Sequence, residues 1–95
     1  MTARAQRAVA FRLYQNCLNP SNPTTVVSYQ LSAVSEVKLV VYDLFGREVA
    51  VLVNERQGPG TQSVKFDASG LASGVYVYHL RAEGHVASRK MMLIR

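Results

Sequence analysis

The chain has 95 residues, enough for one small domain that buries roughly 60–65% of the surface its unfolded form exposes. A hydrophobic content of 48%, with only 6 Gly and 3 Pro, excludes a disordered chain and supports a real core. The net charge of +5 comes from 11 basic and 6 acidic residues, but the basic ones are scattered, without the clustered stripe and interleaved aromatics of a nucleic-acid surface. Several fall on the outward phase of expected strands, where Lys and Arg guard sheet edges.

Met1 to Ala10 reads as a flexible tail or linker remnant, with the domain running from Phe11 to Arg95. The tail carries Arg4 and Arg7 but lacks the roughly 7–15-residue apolar core of a signal peptide. No apolar run approaches the ~20 residues of a membrane helix, so no membrane insertion is expected. Any export signal would lie upstream, and the chain is expected to be a piece of something longer or a reading frame cut too short. The single cysteine, Cys17, cannot form an internal disulfide, so packing must supply the stability.

The first strand is expected over Ala8 to Tyr14, followed by a loop from Gln15 to Thr24 rich in Asn, Pro and Ser. Thr25 to Leu31 alternates, with Val27, Tyr29 and Leu31 on one face. Val34 to Asp43 repeats the pattern, placing Val37, Leu39 and Val41 inward and Lys38 outward. Val40 and Tyr42 on its outer phase imply that this face is partly covered as well. Asp43-Leu44-Phe45-Gly46 reads as a hairpin turn with Gly46 in the left-handed position. Arg47 to Val53 returns as the partner strand with Val49, Val51 and Val53 in phase, and Asn54 to Gly60 reads as a loop.

Thr61 to Asp67 is the next strand, with Val64 and Phe66 inward. Asp67-Ala68-Ser69-Gly70-Leu71-Ala72-Ser73-Gly74 is a small-residue double corner around Leu71. Asp67, Ser69 and Ser73 can bond their own backbone there, while Gly70 and Gly74 permit positive φ. Gly74→Val is therefore expected to unfold the module and Ser69→Ala to cost little. Tyr76, Tyr78 and Leu80 then alternate along a strand, Ala82-Glu83-Gly84-His85 is a tight turn, and Val86 to Ile94 is the last strand. About seven short strands and no helical periodicity point to an all-β antiparallel β-sandwich.

Catalytic signatures are missing: no Gly-x-Ser-x-Gly elbow, no His-Glu-x-x-His, no phosphate-cradling glycine loop and no Cys-x-x-Cys. His79 lies on the outward phase of its strand and His85 in a turn, where structural roles suffice. Asp43 and Asp67 sit at strand ends, where turn hydrogen bonding explains them better than calcium. The chain is thus expected to be no enzyme, with no cofactor, no metal and no nucleic-acid partner.

Four segments carry a family resemblance. They are Leu13 to Asn16 with Asn19 to Thr25, Val41 to Val49, Phe66 to Tyr76, and Arg89-Lys90-Met91 with the closing hydrophobics. In that order they resemble the type IX secretion (Por-type, type A) C-terminal sorting domain, a class similar to the immunoglobulin-like domain of the flagellar hook-capping protein. The resemblance implies a noncatalytic module that follows a secreted passenger. It also implies recognition in the periplasm by the secretion machinery at the outer membrane, and delivery to the cell surface or medium.

Recognition is expected at Lys90, Met91, Met92, Leu93 and Ile94, with Gly46, Asp67, Gly70 and Gly74 as fold-defining turns. The chain departs from the family pattern at Cys17-Leu18 and Ser21, where Tyr-Pro and Phe are usual. Losing a buried Phe costs about 3–5 kcal/mol if nothing refills its space, so docking of the first loop is where the departure would tell. The competing expectations are an accessory module for carbohydrate or protein binding or domain spacing, with Tyr14 and Tyr42 as its thin aromatic support, and a self-assembling subunit like the hook-capping protein.

Overall fold

The computed structural model describes residues 11–18 and 24–93, arranged as an immunoglobulin-like sandwich of two antiparallel sheets. The first sheet is centred on β3 (Thr24–Leu31). One edge of β3 pairs with two short segments in succession, β1 (Phe11–Leu13) and β2 (Cys17–Leu18), and its other edge pairs with β6 (Gly60–Asp67). The second sheet has the order β5 (Glu48–Gln57), β4 (Ser35–Tyr42), β7 (Gly74–Ala82), β8 (His85–Leu93).

The core lies where the inward phases meet. Val27, Tyr29, Leu31 and Phe66 from the first sheet face Val37, Leu39, Val41, Tyr76, Tyr78, Leu80, Met91 and Leu93 from the second, and all are buried. The alternation in β3, β4 and β7 therefore matches the faces expected from the sequence, because a period of two gives each strand one buried side.

Two fully buried tyrosines cross this core in opposite directions. Tyr78 of β7 donates its hydroxyl to the Tyr14 carbonyl at 2.7 Å, just past β1 in the opposite sheet. Tyr29 of β3 donates to the Gln57 side chain at the end of β5. Burial raises the pKa of both phenols, since the ionised form loses its hydration. Each ring thus fills the apolar core while its polar tip satisfies a partner in the facing sheet. The hairpin linking β7 and β8 is tied down separately. Glu83 accepts from Ser32 Oγ at 2.7 Å and from Ser32 N–H at 2.9 Å, and donates its own N–H to Ser35 Oγ at 2.7 Å.

Three expectations change. Asn54 to Gln57 is not loop but the end of β5, because Glu55, Arg56 and Gln57 pair with Val37, Glu36 and Ser35. Its polar composition reflects an edge strand with little to bury, and only Gly58 and Pro59 remain between β5 and β6. Along β5 the valine phase also breaks. Register shifts at Leu39/Val40 and Val41/Tyr42 insert an extra residue each, so Val53 is buried while Val51 is 44% exposed. Ala8 to Ala10, Ser21, Ile94 and Arg95 lie outside the described residues. Within the expected Gln15–Thr24 loop, Cys17 and Leu18 instead form β2 and pair with Val26 and Thr25, so this part of the departing segment is held on β3.

The double corner also differs in mechanism. Leu71 N–H donates to the Ala68 carbonyl at 3.0 Å, Asp67 accepts from Ser69 N–H at 2.9 Å, and Gly70 is not among the glycines at positive φ. Gly74 has φ +153°, yet an added Cβ would meet nothing within 4 Å. Its replacement by Ala therefore brings backbone strain alone, about 1–3 kcal/mol. Against a total stability of about 5–15 kcal/mol that lowers the urea midpoint without unfolding the module.

The β4–β5 turn is held by one carboxylate. Asp43 Oδ1 accepts from the N–H groups of Phe45 and Arg47 at 2.9 Å each, and Oδ2 accepts from Arg47 Nε at 2.9 Å. Gly46 completes the corner at φ +83°. The Arg47 backbone bond, foremost, lowers the Asp43 pKa below its ordinary 3.8. A lowered folded-state pKa means stability that is present above pH 3.8 and lost as pH falls through the folded value. We expect Asp43→Asn to speed amide exchange at Phe45 and Arg47 at neutral pH and to remove the turn's acid transition, both measured by NMR. Tyr78→Phe leaves the Tyr14 carbonyl without its buried donor. Its expected cost is about 1–3 kcal/mol by urea denaturation, with the fold retained.

Candidate functional site

The last strand, β8, pairs with β7 along its whole length, from Gly74↔Leu93 to Ala82↔His85, and forms one edge of the second sheet. This register assigns its side chains to two sides. Met91 and Leu93 point inward and are 1% and 3% exposed, packed beside the Tyr76–Tyr78 stripe. Lys90 and Met92 point outward with Val86 and Ser88, and Met92 is 58% exposed. The expected recognition segment is therefore half core and half surface, while Ile94 falls outside the described residues.

The other edge of β8 faces β1, and side chains rather than a backbone ladder close that seam. Arg89 lies on the inward phase but leaves the core, donating from Nε to the Leu13 carbonyl at 2.8 Å. Gln15 Nε2 donates to the Lys90 carbonyl at 2.7 Å. His85 stands against Phe11 at the far end of the seam, with ring centroids 6.1 Å apart. A cleft of about 320 Å³ lined by Arg12, Leu13, Tyr14, Ala87, Ser88 and Arg89 runs between the strands. Among the described residues this edge of β8 carries no backbone ladder and lies beside a basic cleft, a surface suited to strand addition and to carboxylate or carbonyl partners.

The other singled-out residues that the structure describes stand at separate places. Asp43 and Asp67 spend their carboxylates on turns at different sites, and among the described residues no group of three or more His, Cys, Asp or Glu is placed to hold a metal. His79 Nδ1 lies 2.9 Å from Ser88 Oγ on the outer face of the second sheet, away from His85 at the hairpin. Tyr14 follows β1 and bonds Gln30, whereas Tyr42 sits on β4 edge-on to His79, so the two tyrosines form no common platform. Among the described residues no helix is long and apolar enough to cross a membrane.

The sequence did not announce the seam, because Gln15 and Arg89 are 74 positions apart and only the fold brings both to β8 and β1. The hairpin at Asp43 to Gly46 was expected, but the apolar, cation-capped character of its tip was not. Leu44 and Phe45 are 68% and 83% exposed, with the Arg47 guanidinium 5.2 Å from the Phe45 ring centre.

Comparison with known proteins gives these features a context. No curated protein matches the chain. The family model of the secretion system C-terminal sorting domain does match, over residues 19–94, a span that runs from the β2–β3 link through the whole of β8. That match covers most of the chain and includes the central hairpin, the double corner and the final strand in one continuous alignment. The protein belongs to the C-terminal sorting domain family of type IX secretion.

Proposed function

We propose that this noncatalytic module directs a preceding passenger protein through the type IX secretion system by presenting β8 to a receptor at the outer membrane. The passage runs through the periplasm to the cell surface or medium. The observation that carries the reading is the division of labour in β8: Met91 and Leu93 are locked into the core while Lys90 and Met92 stand outside on an edge strand. A receptor strand can add along the edge of β8 where Gln15 now occupies the Lys90 carbonyl, and the basic cleft beside it supplies charge. The inward pair keeps the strand ordered, which lowers the entropy that docking would otherwise have to overcome.

A competing reading is self-assembly, following the resemblance to the hook-capping module. Among the described residues no strand pairs with the outer edges of β5 and β6, which would be its contact surfaces. A monomer at every concentration in light scattering removes it.

The sorting reading is tested by placing residues 11–95 behind a signal peptide and reporter in a host that has the secretion system. Lys90→Glu with Met92→Ser is expected to leave the melting temperature within a few degrees of the parent, as surface changes do, and to retain the reporter in the periplasm. Met91→Ala, by contrast, is expected to cost about 2–5 kcal/mol and to lose export through unfolding. Undiminished export of the folded double variant contradicts the proposal.

A further inference from the structure

The outer face of the second sheet carries an arrangement that sorting through β8 does not use. Lys38 and Arg81 are direct cross-strand partners on β4 and β7, the two central strands. Like charges opposite one another weaken a ladder. Among the described residues neither side chain takes part in an ion pair or hydrogen bond. The nearest carboxylates along the same strands are already occupied: Glu36 is held by Arg56 at 3.0 Å, and Glu83 by Ser32 at 2.7 and 2.9 Å.

Two residues along the ladder, on the same face, Val40 opposes His79. Val40 is on the outward phase yet only 2% exposed, and it floors a small hollow walled by Lys38, Tyr42, His79 and Arg81. The Tyr42 and His79 rings meet edge-on, with centroids 6.0 Å apart and planes at 84°, and Ser88 Oγ lies 2.9 Å from His79 Nδ1. The imidazole is thereby fixed from two sides, and its Nε2 has no partner among the described residues. The hollow measures about 80 Å³, well below the roughly 300–1,000 Å³ of organic-ligand pockets.

We propose that this hollow is a binding site for a small oxyanion of the phosphate class. Arg81 contributes a planar fork of donors and Lys38 a point charge. His79 Nε2 and the Tyr42 hydroxyl supply further hydrogen bonds, and Val40 keeps water from the underside. An anion between Lys38 and Arg81 converts their repulsion into attraction, which accounts for two unneutralised cations side by side in the middle of a sheet. Only the phosphate group fits the hollow, so the rest of any phosphorylated ligand lies in solvent.

The test uses the full chain in phosphate-free buffer at constant ionic strength, titrated with inorganic phosphate, glycerol phosphate or acetate and followed by NMR and thermal melting. Phosphate is expected to give saturable shifts confined to Lys38, Val40, His79 and Arg81. At ten times its Kd it should raise Tm by roughly 5–10 °C, with acetate weaker. Lys38→Gln with Arg81→Gln abolishes both responses and melts no lower than the parent without phosphate, because a repulsion has been removed. Lys65→Gln on the other sheet keeps both. Glycerol phosphate shifting the same residues supports a phosphate ester as ligand, and response to inorganic phosphate alone supports the free ion. Shifts that do not saturate and spread evenly to Arg12, Arg56 and Lys65 mean an adventitious ion only and overturn the proposal. Responses that survive in the double variant, or a lower melting point of that variant without phosphate, overturn it as well.

Discussion

Two buried tyrosines reaching across the core in opposite directions are the constraint on which this sandwich depends. A 95-residue chain without a disulfide has little core to spend. Tyr29 and Tyr78 each fill apolar volume from one sheet and bond a polar group belonging to the other. A purely apolar contact between sheets would allow them to slide, whereas a hydroxyl aimed at one carbonyl or one amide fixes their relative position. Tyr78 matters most, because its partner carbonyl belongs to Tyr14 and so fixes the end of β1 beside the seam with β8. Asn16, two residues further, donates to Thr25 Oγ1 at 2.8 Å and closes the same end of the core.

The proposed recognition surface rests on this constraint. β8 is anchored inward by Met91 and Leu93 and flanked by a β1 whose position Tyr78 sets, so its outer side is presented on a rigid support. A sorting signal that must be read as a folded object benefits from such support, since ordering costs are met in folding rather than in docking. The seam is closed by two side-chain bonds from Arg89 and Gln15 rather than by a continuous ladder, which leaves a strand edge that a partner can enter without dismantling a sheet.

Much of this was legible in the sequence, for identifiable reasons. Period-two alternation in β3, β4 and β7 located the core faces. The Asp43–Gly46 and Ala82–His85 turns were readable because their residues carry the needed carboxylate and glycines, and Glu83 and Gly84 indeed take positive φ at 55° and 76°. What was not legible depends on neighbours distant in the chain. The polar run Asn54–Gln57 becomes strand only because Ser35 to Lys38 lies beside it, and the two register shifts in β5 leave no mark on valine spacing. Gly70 reads like a left-handed corner, but it sits in the turn closed by the Ala68–Leu71 hydrogen bond and is not among the glycines at positive φ. At the site, Lys90 to Ile94 read as one recognition segment, and the division into inward Met91 and Leu93 and outward Lys90 and Met92 came from the register with β7. The cleft with Arg12 and Arg89, and the pairing of Lys38 with Arg81, required the fold.

The central claim is that the outward side of β8 is the side that is read. Site-specific photocrosslinking in exporting cells tests it directly, with the reactive residue placed at position 92 on β8 or at position 63 on β6 in the opposite sheet. The account predicts a covalent adduct with an identified outer-membrane component of the secretion machinery from position 92 and none from position 63. Adducts of equal yield from both positions, or from position 63 alone, would contradict it.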